Sequence, residues 1–335
     1  DGPIAIPMKK LLTSLVFLAG CAAWNQPINA PIAGENPALV DVTPQTIGSG
    51  EVYVGLAFSG GGMRASAFAY GMLQELQAQG AITGTKDGLL DSVRLVSGVS
   101  GGSVTAAQFG LNGPRGLDGY REKYLITNAE KYMANSLFNP LTVVKGLAGG
   151  ANGRATFGRY LDETLYHHAT FGDLRKNSKI KTWINATDMA NNTPFLFSPE
   201  TFDALCSDLS KLPISEAVTA SAAFPLVFTP IVLAAHPSAC SYHEPDWLTA
   251  ARNNPEATAA MKAQGAALES YSDPEKVKFV KLLDGGITDN FGTTGLAIER
   301  ARAQAPYAPM TPEEAVRMKR MLFLVANAGV EADYG

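Results

Sequence analysis

No run of lysine or arginine occurs in this sequence, and 27 basic against 31 acidic side chains leave a net charge of −4. Such a chain offers no electrostatic footprint to a phosphate backbone, which excludes nucleic acid as a partner. Neither a Gly-x-Gly-x-x-Gly string nor a Gly-Lys-Ser/Thr ending is present, so phosphate loops of the nucleotide-binding kinds are excluded too. Internal repeats and low-complexity tracts are missing, which removes the solenoids. No apolar run reaches the about 20 residues that a bilayer-spanning helix needs. Histidine is scarce: His167, His168, His236 and His243 are the whole supply, and none follows Asp284. Cysteine is scarcer, at three. No cofactor or metal motif is found.

What is present fits a folded protein. An apolar fraction of 46% with 17% charged residues is that of a globular chain, and 335 residues can bury a large core. The start of the chain reads differently. Met8 is followed by Lys9 and Lys10, by the short apolar stretch 11–18, and by Ala19-Gly20-Cys21. This is the layout of a signal peptide. The string LAGC resembles the lipobox of bacterial lipoproteins, which implies lipidation of Cys21, export, and a membrane anchor; Ala22 is compatible with sorting to the outer membrane. Residues 1–21 are therefore assigned to the signal, preceded by a short extension before Met8. Residues 22–50, rich in Pro, Asn and Gly and without periodicity, read as a tether. Export leaves Cys206 and Cys240 as a pair in a compartment that permits disulfides. A bridge there closes a loop of about 35 residues, worth roughly 3–4 kcal/mol on the chain-entropy model. Two unpaired buried thiols are the alternative.

From position 51 onward strands and helices alternate. Strands are expected at 52–58, 93–97, 180–186, 195–197, 277–283 and 321–326, with helical patterns at 65–79, 103–109, 117–132, 154–166, 255–271, 292–304 and 311–319. Buried-looking strands separated by helices predict an α/β fold: a mostly parallel sheet covered on both faces. The chain stops soon after the strand 321–326, a pattern that leaves room for further C-terminal elements.

Three motifs follow strands. Gly98-Val99-Ser100-Gly101-Gly102 is a Gly-x-Ser-x-Gly string between strand and helix, where flanking glycines permit the sharp turn that presents a serine nucleophile. Gly60-Gly61-Gly62 exposes backbone N–H groups at a helix N-terminus, a cradle for an oxyanion. Asp284 precedes Gly285 and Gly286 directly after 277–283; in a parallel sheet it shares one rim with the two glycine turns. Arg64 could buttress the glycine loop or meet a lipid phosphate. The stretch 133–147, with Phe138 and Val144, reads as core or as an apolar flap over the site.

The triple-glycine-Arg loop, the serine elbow and the late Asp-Gly-Gly together resemble the patatin-like phospholipases, in order and in context. Ala220-Ser221-Ala222-Ala223-Phe224-Pro225 is similar to that family's Ala-Ser-x-Ala-x-Pro segment. Ala65 departs from the pattern, since many members carry Gly there, yet the side chain stays small. The resemblance spans 52–327. It implies a three-layer α/β/α fold over 51–335, a Ser100/Asp284 dyad without histidine, an oxyanion hole of Gly60, Gly61 and Gly62, no cofactor, and hydrolysis of acyl esters of phospholipids or neutral glycerides. Two other readings stay open: a Ser-His-Asp esterase using His236 or His243, and a non-catalytic lipid-binding surface lipoprotein.

Overall fold

The computed structural model describes residues 26–33, 52–79, 86–127, 152–225, 227–303, 305–307 and 312–329. Cys21 and the stretch 133–147 lie outside them. Among the described residues, seven strands form one sheet: β1 (Val52–Phe58), β2 (Val93–Val99), β3 (Lys181–Asp188), β4 (Thr193–Leu196), β5 (Ile231–Ala234), β6 (Phe279–Asp284) and β7 (Arg320–Ala326). Their order is β5-β6-β3-β2-β1-β7, with β4 also pairing β3. The run β3-β2-β1-β7 is parallel throughout.

The described helices of six residues or more are α1 (Gly62–Ala78), α2 (Gly101–Asn112), α3 (Phe171–Asn177), α4 (Pro199–Ala204), α5 (Ile214–Ser221), α6 (Asp246–Asn253), α7 (Ala259–Tyr271), α8 (Thr294–Arg302) and α9 (Pro312–Arg317). The two-residue alternation of β1 explains the layering. Val54, Leu56 and Phe58 point to one face, where Ala69, Leu73 and Leu76 of α1 and Phe109 of α2 cover them. Tyr53 points to the other, where it packs with Leu95, Trp183, Phe323 and Ile298 of α8. Fully buried side chains such as Leu73 and Phe58 each contribute roughly 1.5–3 kcal/mol. The result is the three-layer α/β/α arrangement.

Several expected elements differ. The helix expected at 154–166 is wound as a π-helical turn (Arg154–Gly158), one α-helical turn (Arg159–Leu161) and a second π-helical turn (Asp162–Tyr166). It stops where His167 and His168 adopt φ of 50° and 64°. β5 and the helices α3 to α6 were not anticipated; β5 has only four residues and is preceded by Pro230, a weak signal. The tether also needs correction. Within residues 26–33, Ile28 and Asn29 are bound to the outer strand β5, and Ala30 and Ile32 to the turn Cys206–Asp208, rather than loose. Ile28 N–H donates to Val232 O at 3.0 Å, and Asn29 donates to Ser207 Oγ and Ala234 O, both at 2.9 Å. Asn29 Oδ1 accepts from Ala234 N–H, and Ile32 is buried. An unpaired strand edge is a liability, and this segment covers it.

The largest correction concerns β6. It runs antiparallel to β3, not parallel, so a C-terminal residue there would ordinarily lie at the opposite end of the sheet from the serine elbow. β3 resolves this by its length. Its residues 181–185 pair with β2, and its last three, 186–188, extend past the end of β2. Within β3, β6 pairs only with that overhang, and its last residue, Asp284, lies opposite Ala186. Asn185, one residue earlier, lies opposite Val99. An antiparallel strand thus delivers its carboxylate beside residue 100.

Candidate active site

β1 and β2 end side by side, with Phe58 opposite Gly98, so the loops that follow them touch. Any side chain on Gly101 would collide with the Gly62 carbonyl, and a Cβ on Gly102 would come within 2.5 Å of the Phe58 and Ser59 carbonyl oxygens. At the elbow Ser100 adopts φ 51°, ψ −125°, backbone that a side chain-bearing residue rarely occupies and that costs on the order of 1–3 kcal/mol. Surrounding hydrogen bonds hold it there. Ser100 N–H donates to Ser221 Oγ at 2.8 Å, and that hydroxyl donates to Asn185 O at 2.5 Å. The Ser100 carbonyl accepts from Ser103 N–H at 3.0 Å and Ser103 Oγ at 2.6 Å. Asn185 in turn donates to Ser97 Oγ and Gly98 O.

The Ser100 hydroxyl donates to Asp284 Oδ2 at 2.7 Å. The other carboxylate oxygen accepts from Gly286 N–H at 2.8 Å. Asp284 is fixed through its backbone as well: its N–H donates to Ala223 O at 3.0 Å, and its carbonyl accepts from Thr187 Oγ1 at 2.8 Å. Burial pushes the Asp284 carboxyl above the ordinary carboxylate range, and the hydrogen bonds from Ser100 and Gly286 pull partly back. A carboxylate raised in this way is a better proton acceptor than a solvated one.

The glycine loop divides. Gly61 (φ 138°) and Gly62 (φ 61°) adopt backbone open to glycine, and their N–H groups make no hydrogen bond among the described residues. Gly60 does not belong with them. Its N–H is committed to Asn290 O at 3.1 Å, which removes it from the expected oxyanion hole. Arg64 is exposed, makes no hydrogen bond or ion pair with a described residue, and does not line the cleft, so it does not buttress the loop. That work falls to Ser59, whose N–H donates to Ala326 O and whose Oγ accepts from Ala328 N–H.

Ser100 and Asp284 sit at the floor of a cleft of about 710 Å³. Its walls are mostly apolar, with Tyr124, Leu125, Phe157, Phe224, Phe228 and Ile287 among them, and Asp284 is the one charged side chain among the described lining residues. Burial pushes the Tyr124 phenol up from its usual value, so it is no base near neutral pH. None of the four histidines lines the cleft. His168 pairs with Asp162, His236 is held through its main-chain N–H, which donates to Leu205 O beside the disulfide, and His243 is exposed. Cys206 and Cys240 are joined by a disulfide.

Sequence reasoning missed Asn185, Asp289 and Asn290, and it placed Ser221 only within a supporting segment. Ser221 meets the nucleophile across 121 positions of sequence, and no local pattern reports such a contact.

A search by sequence among curated proteins finds no significant match. Among solved structures the chain is similar to human GIVD cytosolic phospholipase A2, with 15% identity over 73% of this chain and 43% of that one, at a TM-score of 0.38. It is also similar to VipD from Legionella pneumophila, with 15% identity over 81% of this chain and 49% of that one, at a TM-score of 0.33. The chain spans less than half the length of either. The profile of the patatin-like phospholipases matches residues 56–297. That match starts within β1 and ends within α8, taking in glycine loop, elbow and acid strand alike, and this chain belongs to the patatin-like phospholipase family.

Proposed function

We propose that this protein is a lipid acyl hydrolase that cleaves carboxylic esters through Ser100 and Asp284. The observation that carries the reading is the 2.7 Å hydrogen bond from the Ser100 hydroxyl to a buried carboxylate, at the floor of an apolar cleft beside two unpaired glycine N–H groups. As Ser100 Oγ bonds to the ester carbonyl carbon, Asp284 takes its proton. Negative charge gathers on the former carbonyl oxygen, toward which Gly61 and Gly62 N–H point their dipoles together with the N-terminus of α1. The ester C–O bond then breaks, and the leaving alcohol takes the proton from Asp284. Water repeats the sequence on the acyl-enzyme: Asp284 accepts a water proton, the acid departs, and the proton returns to Ser100.

The mouth supports a lipid as the substrate. Met63, Phe224 and Ile287 line the cleft yet stay exposed, and exposed Val227 and Phe291 adjoin lining residues in sequence. Exposed bulky apolar groups gathered on one face mark surfaces that meet lipid or protein. We place the enzyme on a bacterial membrane through acyl chains on Cys21, with the substrate a phospholipid or another acyl-ester lipid.

A fluorophosphonate probe tests the reading. It should label Ser100 and no other serine, and Ser100→Ala and Asp284→Asn should each abolish ester hydrolysis while His236→Ala and His243→Ala leave it intact. Loss of activity in the histidine variants would transfer the role to a Ser-His-Asp triad. A wild-type protein inactive on every lipid ester would leave a lipid-binding role. Radiolabelled palmitate incorporation, lost in Cys21→Ala, checks the anchor.

A further inference from the structure

Asn290 occupies a position that the reaction above leaves unused. Its main-chain oxygen holds the Gly60 N–H, and its side chain lines the cleft without a hydrogen-bond partner among the described residues. Two glycines locate its carboxamide. A Cβ built on Gly60 would lie 2.5 Å from Asn290 Oδ1 and 3.5 Å from Ser100 Cβ. One built on Gly286 would lie 2.8 Å from Asn290 Oδ1 and 3.1 Å from Asp284 Oδ1. The carboxamide oxygen can therefore be no farther from the nucleophile's Cβ, or from the acid, than each pair of distances added together. Glycine at 60 and at 286 leaves room for the carboxamide, where any side chain would collide with it.

The turn that presents Asn290 is built firmly. Asp289 accepts hydrogen bonds from the N–H groups of Phe291 (3.2 Å), Gly292 (2.9 Å) and Thr294 (2.7 Å) and from Thr294 Oγ1 (2.7 Å). Gly292 O is tied to β2 by Ser97 Oγ at 2.6 Å. A side chain held on such a scaffold needs little reorganisation to act on a substrate.

We infer that the Asn290 carboxamide donates an N–H to the ester oxygen that becomes negative during attack by Ser100, completing with Gly61 and Gly62 the cradle from which Gly60 is withdrawn. The inference rests on the hydrolase reading. A carboxamide with no partner turns about its last bond, and an oxyanion in the cleft selects its two-donor end. The residue thus has two separate duties: the main chain fixes the glycine loop, and the side chain touches the substrate.

Turnover of a soluble short-chain p-nitrophenyl ester by the full chain, read with a trifluoromethyl ketone that forms a hemiketal on Ser100, tests this. Asn290→Ala keeps the main-chain bond and should lose about a hundredfold in kcat with KM changed by no more than about twofold. Affinity for the ketone should fall in parallel, while the melting temperature and the affinity for an uncleavable ether analogue of the substrate should hold. Asn290→Asp, equal in size but without a donor, should lose at least as much. It also decides the case if the alanine variant does not fold. Wild-type kcat in either folded variant, or a loss confined to KM, overturns the role of Asn290 and leaves the hydrolase standing. A wild-type enzyme without esterase activity overturns both.

Discussion

The four parallel strands and the antiparallel group beside them contribute to the site in different ways. The parallel run supplies Ser100 and the glycine loop, each in the sharp turn from a strand into a helix, locked by contacts too close for any Cβ. The antiparallel β6 supplies the acid, and Asp284 is held by hydrogen bonds to Ala223, Thr187 and Gly286 from three separate segments. Backbone shape sets the position of Ser100; burial and hydrogen bonding set the position and raised pKa of Asp284. Ser100 and Asp284 come together only where the two halves meet, at the overhang of β3.

The strongest way to break that comparison is to remove the acid. Asp284→Asn should lower kcat/KM by about 10⁴-fold or more, as removal of one member of a cooperating catalytic set does, with the fold retained in circular dichroism. Next comes packing. Leu73→Ala beneath the parallel half should cost about 2–5 kcal/mol in denaturant unfolding, against a smaller loss for Val280→Ala in β6, where fewer carbon atoms are removed. Opening the Cys206–Cys240 bridge should cost up to roughly 3–4 kcal/mol on the chain-entropy model. Because that bridge does not line the cleft, kcat below the melting transition should stay near wild type in Cys206→Ser/Cys240→Ser. Ser221→Ala acts at the seam itself. It strands the Ser100 N–H and the Asn185 carbonyl, and should cost about 1–3 kcal/mol of stability.

The smallest effect is the dependence on pH, and it sharpens the comparison by its sign. The folded-state pKa of Asp284 is raised, so the native protein holds this proton more tightly than the unfolded chain does. Its contribution to stability is full below the unfolded value and is lost as pH rises through the folded value. Activity runs the other way, because the base works only when deprotonated. The acid limb of kcat/KM should therefore lie above the ordinary carboxylate range, and Asp284→Asn should melt no lower than wild type at neutral pH. An acid limb at the pKa of a free aspartate would show that burial does not tune this group.

How much of this was legible in the sequence follows the same division. β1, β2 and their glycine turns are written in local pattern, since strand, turn and helix residues are neighbours in the chain. The direction of β6 is not local, although a clue was present. Phe279 and Lys281 are exposed while Val280 and Leu282 are buried, a two-residue alternation that suits an antiparallel strand with one wet face. Lys281 marks that exposed face. The withdrawal of Gly60 was illegible because the group that claims its N–H, Asn290, is 230 positions later and acts through its main chain, which every residue possesses. Asn185 and Ser221 were hidden for the same reason: their roles lie in contacts between distant elements.

The grip of Asn29 on the outer strand sets a leash. If Cys21 carries the acyl chains proposed above, only the residues up to Ile28 separate the bilayer from a point fastened to the body, and a fully stretched chain of that length reaches about 25 Å. An enzyme moored so closely would sweep the membrane that holds it and have little reach to any other.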